Sequence, residues 1–370
     1  FSKGNWGRKM KRRAFIKTAA RVGTGIAAAG LAAPAISQNR IRWKMVTAWP
    51  KNFPALGTGT QRIADSIKQM SDGRMEVKVY GAGELVPAFE VFDAVREGVA
   101  EVGHDAPYYW LAKHSAMNFF CSIPGGLTAQ EHVAWIYFGG GQELWDELYA
   151  GFGLKPLLAG SGGSNVGGWF TKEILSLADF KGLRIRMPGL GGEVMARLGA
   201  VPVNLPGAEI LPALQTGAID AADWIAPYND LAFGFHKVAD FYYAPGVLEP
   251  GPALALTINK EAFEALPNDL QQIVKSAAGD ETFRLWSEMT VGNAKALGAL
   301  VNKHKVKLRK FPAEVYDAML AAGAEVARET ADKDPFTFKV YESWLEYKKL
   351  SMELAPITEL GFMSLRDSQR

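Results

Sequence analysis

One unit occurs twice in this chain. Residues 90–103 read E-V-F-D-A-V-R-E-G-V-A-E-V-G and residues 209–222 read E-I-L-P-A-L-Q-T-G-A-I-D-A-A. Both run on into Ala-Pro-Tyr, at 106–108 and 226–228. Each copy has the pattern of a helix, a glycine cap and a short strand. Helix–Gly–strand units recur by chance in any α/β chain, but the shared Ala-Pro-Tyr favours two related lobes. Lobes that turn strand ends toward each other enclose a cleft, and small-molecule sites favour such interfaces. The match sets His104 and Asp105 in lobe one where Asp223 and Trp224 stand in lobe two. Asp105 and Tyr108 are therefore the candidate ligand contacts of lobe one.

The remaining pattern is α/β and two-lobed. Its 370 residues, 48% hydrophobic and 22% charged, suit two globular domains, and a net charge of +2 is too small to imply a nucleic-acid partner. Strand, helix, strand and helix alternate over 41–97. A loose S-G-G-S-N at 161–165 and L-E-P-G-P at 248–252 read as crossings between lobes. This assigns 36–162 and 252–300 to lobe one, and 163–251 and 301–333 to lobe two. Helical periodicity over 128–150 predicts one helix whose aromatic stripe, Trp135, Phe138, Trp145 and Tyr149, faces the core. Short strands are expected at 218–222 and 304–311. Residues 334–370 form a helical extension that stands apart from both lobes and is available to a second subunit. At the other end, Arg12 and Arg13 precede Phe15, Lys17, an apolar run over 19–33 and an Ala-Pro-Ala cleavage site. Residues 1–35 thus read as a twin-arginine signal peptide for export to the periplasm. An uncut membrane anchor is the competing reading, though the run is shorter than the ~20 residues a span needs.

Chemistry concentrates in residues 181–229. Leu183, Ile185 and Met187 alternate with Arg184 and Arg186, the period of a half-buried strand, and Pro188-Gly189 ends it. Arg186 and Asp223 therefore fall at the ends of two strands. A guanidinium fork pairs a carboxylate bidentately, so an Arg and an Asp on one rim suggest a small carboxylate with a cation between it and the Asp. The alternative is two solvated loop charges. Asn165 and Glu249 lie in the two crossings, where each reaches the cleft or serves only its turn. Gly189-Leu190-Gly191-Gly192 lacks the third glycine of a dinucleotide loop, which falls at Val194. No G-x-S-x-G or H-E-x-x-H occurs, and a single cysteine, Cys121, excludes a multi-thiolate metal site. The residues favour binding over catalysis.

W-P-K-N-F-P (49–54), G-A-G-E-L-V-P (81–87), G-G-W-F (167–170), G-L-R-I-R-M-P-G (182–189), A-L-Q-T-G-A-I-D-A (213–221) and P-Y-N-D (227–230) together resemble the extracytoplasmic solute-binding subunits of TRAP transporters. The likeness spans almost the whole chain after the signal peptide. It implies a two-lobed periplasmic binding protein fold with a protruding C-terminal helix that often mediates dimers, and delivery of a carboxylate to membrane transporter subunits. Within the family the chain is most similar to the branch that takes 2-oxo or 2-hydroxy monocarboxylates, such as pyruvate or lactate, through a metal. That branch implies that Arg186 grips the carboxylate and that a cation is held at the positions of Asn165, Asp223 and the Trp224 carbonyl. Asn165 and Asp223 stand where the branch has Gln and Glu, each shorter by one methylene. With Glu249 added, all donors are oxygens, which suits calcium or sodium and not zinc or copper. The competing reading is a metal-dependent hydrolase or lyase acting on a small carboxylate.

Overall fold

The computed structural model describes residues 40–369; the expected signal peptide lies outside them. Among the described residues no helix is long and apolar enough to cross a membrane.

Two mixed sheets organise the chain. The first holds β1 (Ile41–Thr47), β2 (Met75–Tyr80), β3 (Val102–Asp105), β4 (Leu154–Ser161) and β10 (Ala253–Asn259), in the order β2-β1-β3-β10-β4. The second holds β5 (Gly168–Phe170), β6 (Arg184–Arg186), β7 (Val201–Val203), β8 (Ala221–Ala222), β9 (Phe241–Tyr243) and β11 (Lys307–Arg309), in the order β11-β9-β5-β8-β6-β7. The two sheets share one plan. In the first, β1 pairs in parallel with β2 and β3, and β10 runs antiparallel between β3 and β4. In the second, β6 pairs in parallel with β7 and β8, and β5 runs antiparallel between β8 and β9. The duplicated sequence unit contributes β3 to one sheet and β8 to the other. The antiparallel strand of each sheet is the one that arrives directly from the other lobe, so the crossings are anchored in the middle of both sheets.

A third crossing follows the Asn268–Gly298 helix, about 46 Å long at 1.5 Å per residue. A π turn over Ala299–Lys303 leads it into β11. Alternation breaks in β6, where period two would give Arg186 the wet face of Arg184. In β6 Arg184 is exposed while Ile185 and Arg186 are fully buried.

Several expectations change. The single helix over 128–150 is two, Ala129–Phe138 and Gly141–Ala150, broken at Gly139 and Gly140, the latter at φ +86°. The break rotates Phe138 out to 95% exposure, while Trp135, Trp145 and Tyr149 remain fully buried. The strands expected at 218–222 and 304–311 shrink to β8 and β11. The Pro335–Leu354 helix does not stand apart from the lobes. It buries Val340 and Trp344, stacks Trp344 edge-on to Phe119, and accepts at Ser343 Oγ from Trp135 Nε1 at 3.2 Å. The protruding part is the Glu359–Asp367 helix, which buries nothing.

Candidate ligand and cation site

Both direct crossings and the ends of β6 and β8 meet at one buried point. Ala222 of β8 lies beside Arg186 of β6, and the Asp223 N–H closes onto the Arg186 carbonyl at 2.9 Å. The crossings pair with each other and with this turn: Asn165 N–H donates to the Glu249 carbonyl at 3.2 Å and Val166 N–H to the Ile225 carbonyl at 2.9 Å. Gly168, at φ +102°, permits the approach, since a Cβ there would lie 2.8 Å from the Ala222 carbonyl. The turn after β8 is tied from below by Asp230. Its carboxylate accepts from Trp169 Nε1 at 2.9 Å, from the Tyr242 hydroxyl at 2.7 Å and from Ile225 N–H at 3.4 Å.

The side chains then converge. Asn165 Nδ2 donates to the Trp224 carbonyl at 3.1 Å and to Glu249 Oε2 at 2.7 Å. The Tyr108 hydroxyl reaches the same Glu249 oxygen at 3.5 Å. Arg186 donates from Nη1 to the Asp223 carbonyl at 2.7 Å and from Nε to the Leu205 carbonyl at 3.1 Å, and its guanidinium lies 5.0 Å over the Trp224 ring. Its Nη1 is 3.8 Å from Asp223 Oδ2. Arg186, Asp223, Asn165 and Glu249 are each at least 96% buried.

Five atoms here are buried without a hydrogen-bond partner: Asn165 Oδ1, Asp223 Oδ2, Glu249 Oε1, Arg186 Nη2 and Trp224 Nε1. Buried polar atoms are normally paired, and each exception costs about 1–3 kcal/mol. Three bare oxygens and two bare N–H groups in one cluster form the complement of a cation and an anion. Electrostatics agree. Burial pushes Glu249 up to about 7, with Arg186, Tyr108 and Asn165 pulling the other way. Burial and then the Glu249 charge drive Asp223 well above the carboxylate range, against Arg186. Burial alone would lower Arg186, but Tyr109, Tyr108, Asp223 and Glu249 outweigh it. Among the described residues no three of His, Cys, Asp or Glu converge. A cation at this point is thus offered two carboxylates, an amide oxygen and a backbone carbonyl, all hard donors.

Asp105 is not part of the cluster. Its carboxylate is turned into the lobe-one core, accepting from Trp110 Nε1 at 2.9 Å and Thr257 Oγ1 at 2.9 Å, and burial lifts it to about 7. His104 is likewise core: Nδ1 accepts from Trp49 Nε1 at 3.0 Å, Nε2 faces the Ala159 carbonyl at 3.1 Å, and burial lowers it to about 4. Lobe one instead brings Tyr108 and Tyr109. Two residues escaped sequence reasoning. Tyr109, whose hydroxyl burial raises to about 12, adjoins Arg186. Asp230 braces the Asp223 turn; its place in P-Y-N-D was the available signal.

Beside the cluster is a partly enclosed pocket lined by Tyr108, Tyr109, Asn165, Trp224, Leu56 and Leu254, among others, with a cavity volume of about 20 Å³.

Two like α/β lobes closed on a buried, half-satisfied polar cluster define a solute-binding receptor. Residues 45–334 match the family model described as bacterial extracellular solute-binding protein, family 7, and the chain belongs to that DctP family of TRAP solute receptors. A relative in Nostoc sp., named monocarboxylate 2-oxoacid-binding periplasmic protein, is 39% identical over 98% of this chain and all of its own. A TRAP periplasmic solute binding protein from Pseudoalteromonas atlantica, solved with bound sodium and pyruvate, is 38% identical at a TM-score of 0.85, over 88% of this chain and 99% of that one. One from Bordetella bronchiseptica, a mixed-occupancy dimer with copurified calcium and picolinate, is 34% identical at 0.87, over 89% and 98%. The family is one of periplasmic receptors that serve transporters and not of enzymes; nothing supports the hydrolase or lyase reading.

Proposed function

We propose that this receptor binds a small 2-oxo or 2-hydroxy monocarboxylate, pyruvate- or lactate-like, together with calcium or sodium, and presents it to TRAP membrane subunits. The observation that carries the reading is the set of unpartnered buried atoms, above all the three oxygens and the Arg186 Nη2. Asn165, Asp223, Glu249 and the Trp224 carbonyl are the cation's ligands. Arg186 takes the carboxylate, with Tyr108 on the lobe-one side. When bound, the cation supplies positive charge that offsets the buried carboxylates and lets an anion enter beside them. Two carboxylates and one guanidinium leave one negative charge, and a monocarboxylate makes two. A divalent ion cancels both, whereas sodium leaves one uncompensated in a buried site, which favours calcium.

The test is titration calorimetry of pyruvate and lactate on chelator-stripped protein, with calcium, with sodium and with neither. Ion-dependent binding of unchanged acid is expected. Equal binding without any ion removes the cation from the reading, and consumption of the acid removes the receptor. The exposed apolar residues Ile357, Leu360, Phe362 and Leu365 favour a homodimer through the C-terminal extension. The Arg12-Arg13 motif and Ala-Pro-Ala site favour export by the twin-arginine route.

A further inference from the structure

We infer that Leu56 and Leu254 form the end wall of the ligand pocket and set how long a ligand's carbon tail can be. The inference rests on the carboxylate reading above, which directs the ligand's charged end to Arg186 and the oxygen cluster. What is left of the pocket lining is apolar, with Trp49, Leu56, Ile225, Pro252 and Leu254, apart from the Trp224 ring, whose Nε1 is buried without a partner. Trp49 has its one donor committed to His104. Beyond the Trp224 indole N–H, this part of the lining presents no free donor or positive charge to a second polar group, and a tail that packs on Leu56 and Leu254 is aliphatic.

The wall is also rigid. Leu56 opens the Leu56–Met70 helix and is fully buried; Leu254 lies on β10 and is 5% exposed. Leu254 Cδ1 lies beside Gly160, where a Cβ would come within 3.2 Å of both it and Leu285 Cδ1. A close-packed wall rejects added methylenes because cores accommodate extra volume poorly. A second route exists in the shape of the molecule. The cleft mouth, lined by Tyr109, Met187, Pro188 and Glu193, shares Tyr108 and Tyr109 with the pocket. A tail leaving that way would not feel either leucine.

The experiment is calorimetry of pyruvate, 2-oxobutanoate, 2-oxopentanoate and 2-oxooctanoate on the full chain with calcium, for the unaltered protein, Leu254→Ala and Leu56→Ala. For the unaltered protein 2-oxooctanoate is expected to bind at least ~10-fold more weakly than pyruvate. Each variant should shift the ratio of long to short acid by ~10-fold or more toward the longer tail, the scale of a methylene or two in an apolar pocket. Equal affinity for pyruvate and 2-oxooctanoate in the unaltered protein overturns the wall without any variant, and means that the tail leaves by the mouth. Pyruvate binding with an unmoved length preference in both folded variants overturns it as well. Failure of every acid to bind the unaltered chain overturns the carboxylate reading itself, and this inference with it.

Discussion

Arg184 and Arg186 sit on one three-residue strand and have opposite fates. Arg184 points to solvent and is paired with Asp220 at 2.7 Å, a solvent-screened surface contact. Arg186 is fully buried with Nη2 unmatched. Arg186→Ala is expected to weaken ligand binding by at least ~100-fold, as loss of a buried charge partner costs a few kcal/mol, and Arg184→Ala to change it little. Arg186→Lys should fail to restore binding, since an ammonium lacks the fork. Comparable small losses for Arg184→Ala and Arg186→Ala in calorimetry would take Arg186 out of the ligand's grip. Titration offers a second check. Glu249 is raised from 4.5 to about 7 by burial, and Asp223 is also raised, by burial and by the Glu249 charge. The folded, ion-free protein therefore holds protons that the unfolded chain has already released. These groups favour folding below the unfolded value, and that contribution is lost as pH rises through about 7. Calcium needs both groups charged, so its affinity moves the other way. Raising pH through this window should lower the melting temperature of stripped protein while calcium affinity climbs, up to about tenfold per unit for each proton displaced. A flat calcium affinity across the window would exclude Glu249 and Asp223 as ligands.

At the scale of elements, closure is secured away from the pocket. The Gly189–Arg197 helix of lobe two has Pro188 at its N-cap and no side-chain cap of its own. Asn118, from the Ser115–Phe120 turn of lobe one, fills that role, accepting at Oδ1 from Leu190 N–H at 3.1 Å. A side chain at Gly189 would lie 2.8 Å from the same oxygen, and φ there is +58°. Nearby, Phe53 stacks on Phe233 with centroids 4.2 Å apart, and Asn229 Nδ2 donates to the Pro54 carbonyl at 2.8 Å. The cap exists only while the lobes are together. Loss of an N-cap costs about 0.5–2 kcal/mol. Asn118→Ala should accordingly weaken ligand affinity by about 2- to 30-fold and raise the radius of gyration of the liganded protein, with calcium dependence intact. Unchanged affinity and scattering would show that this cap contributes nothing to closure.

For the whole molecule, the Pro335–Leu354 helix belongs to lobe one while the last segment projects. Ile357, Phe362 and Leu365 are 81%, 64% and 72% exposed, joined to the body by a Gln130–Glu359 hydrogen bond at 3.2 Å. Apolar residues grouped on a surface helix mark an interaction face. Phe362→Asp combined with Leu365→Asp should convert a dimer to a monomer in sedimentation. Ligand affinity and melting of the lobes should barely move, because surface substitutions typically change stability by only about 0.5 kcal/mol. A double variant with unaltered mass would assign the dimer to another face.

Periodicity and punctuation by themselves determined the two α/β halves and the strand ends and crossings from which Arg186, Asn165, Asp223, Trp224 and Glu249 come, but not the burial of Arg186, which by period shares the face of exposed Arg184. These are local properties: a period of two or 3.6 and a glycine stop act within a few residues. Tertiary structure decided what each face meets. Asp105 holds the place equivalent to Asp223 in the repeat, yet Trp110 and Thr257 occupy its oxygens and take it into the core. Phe138 continues an aromatic stripe, yet a two-glycine break turns it to water. The Pro335–Leu354 helix has the pattern of a free arm, yet Phe119 and Trp135 give it a surface to cover. In two of these cases the deciding partner includes a residue more than a hundred positions away, and sequence periodicity records that a face is apolar or polar without recording its partner.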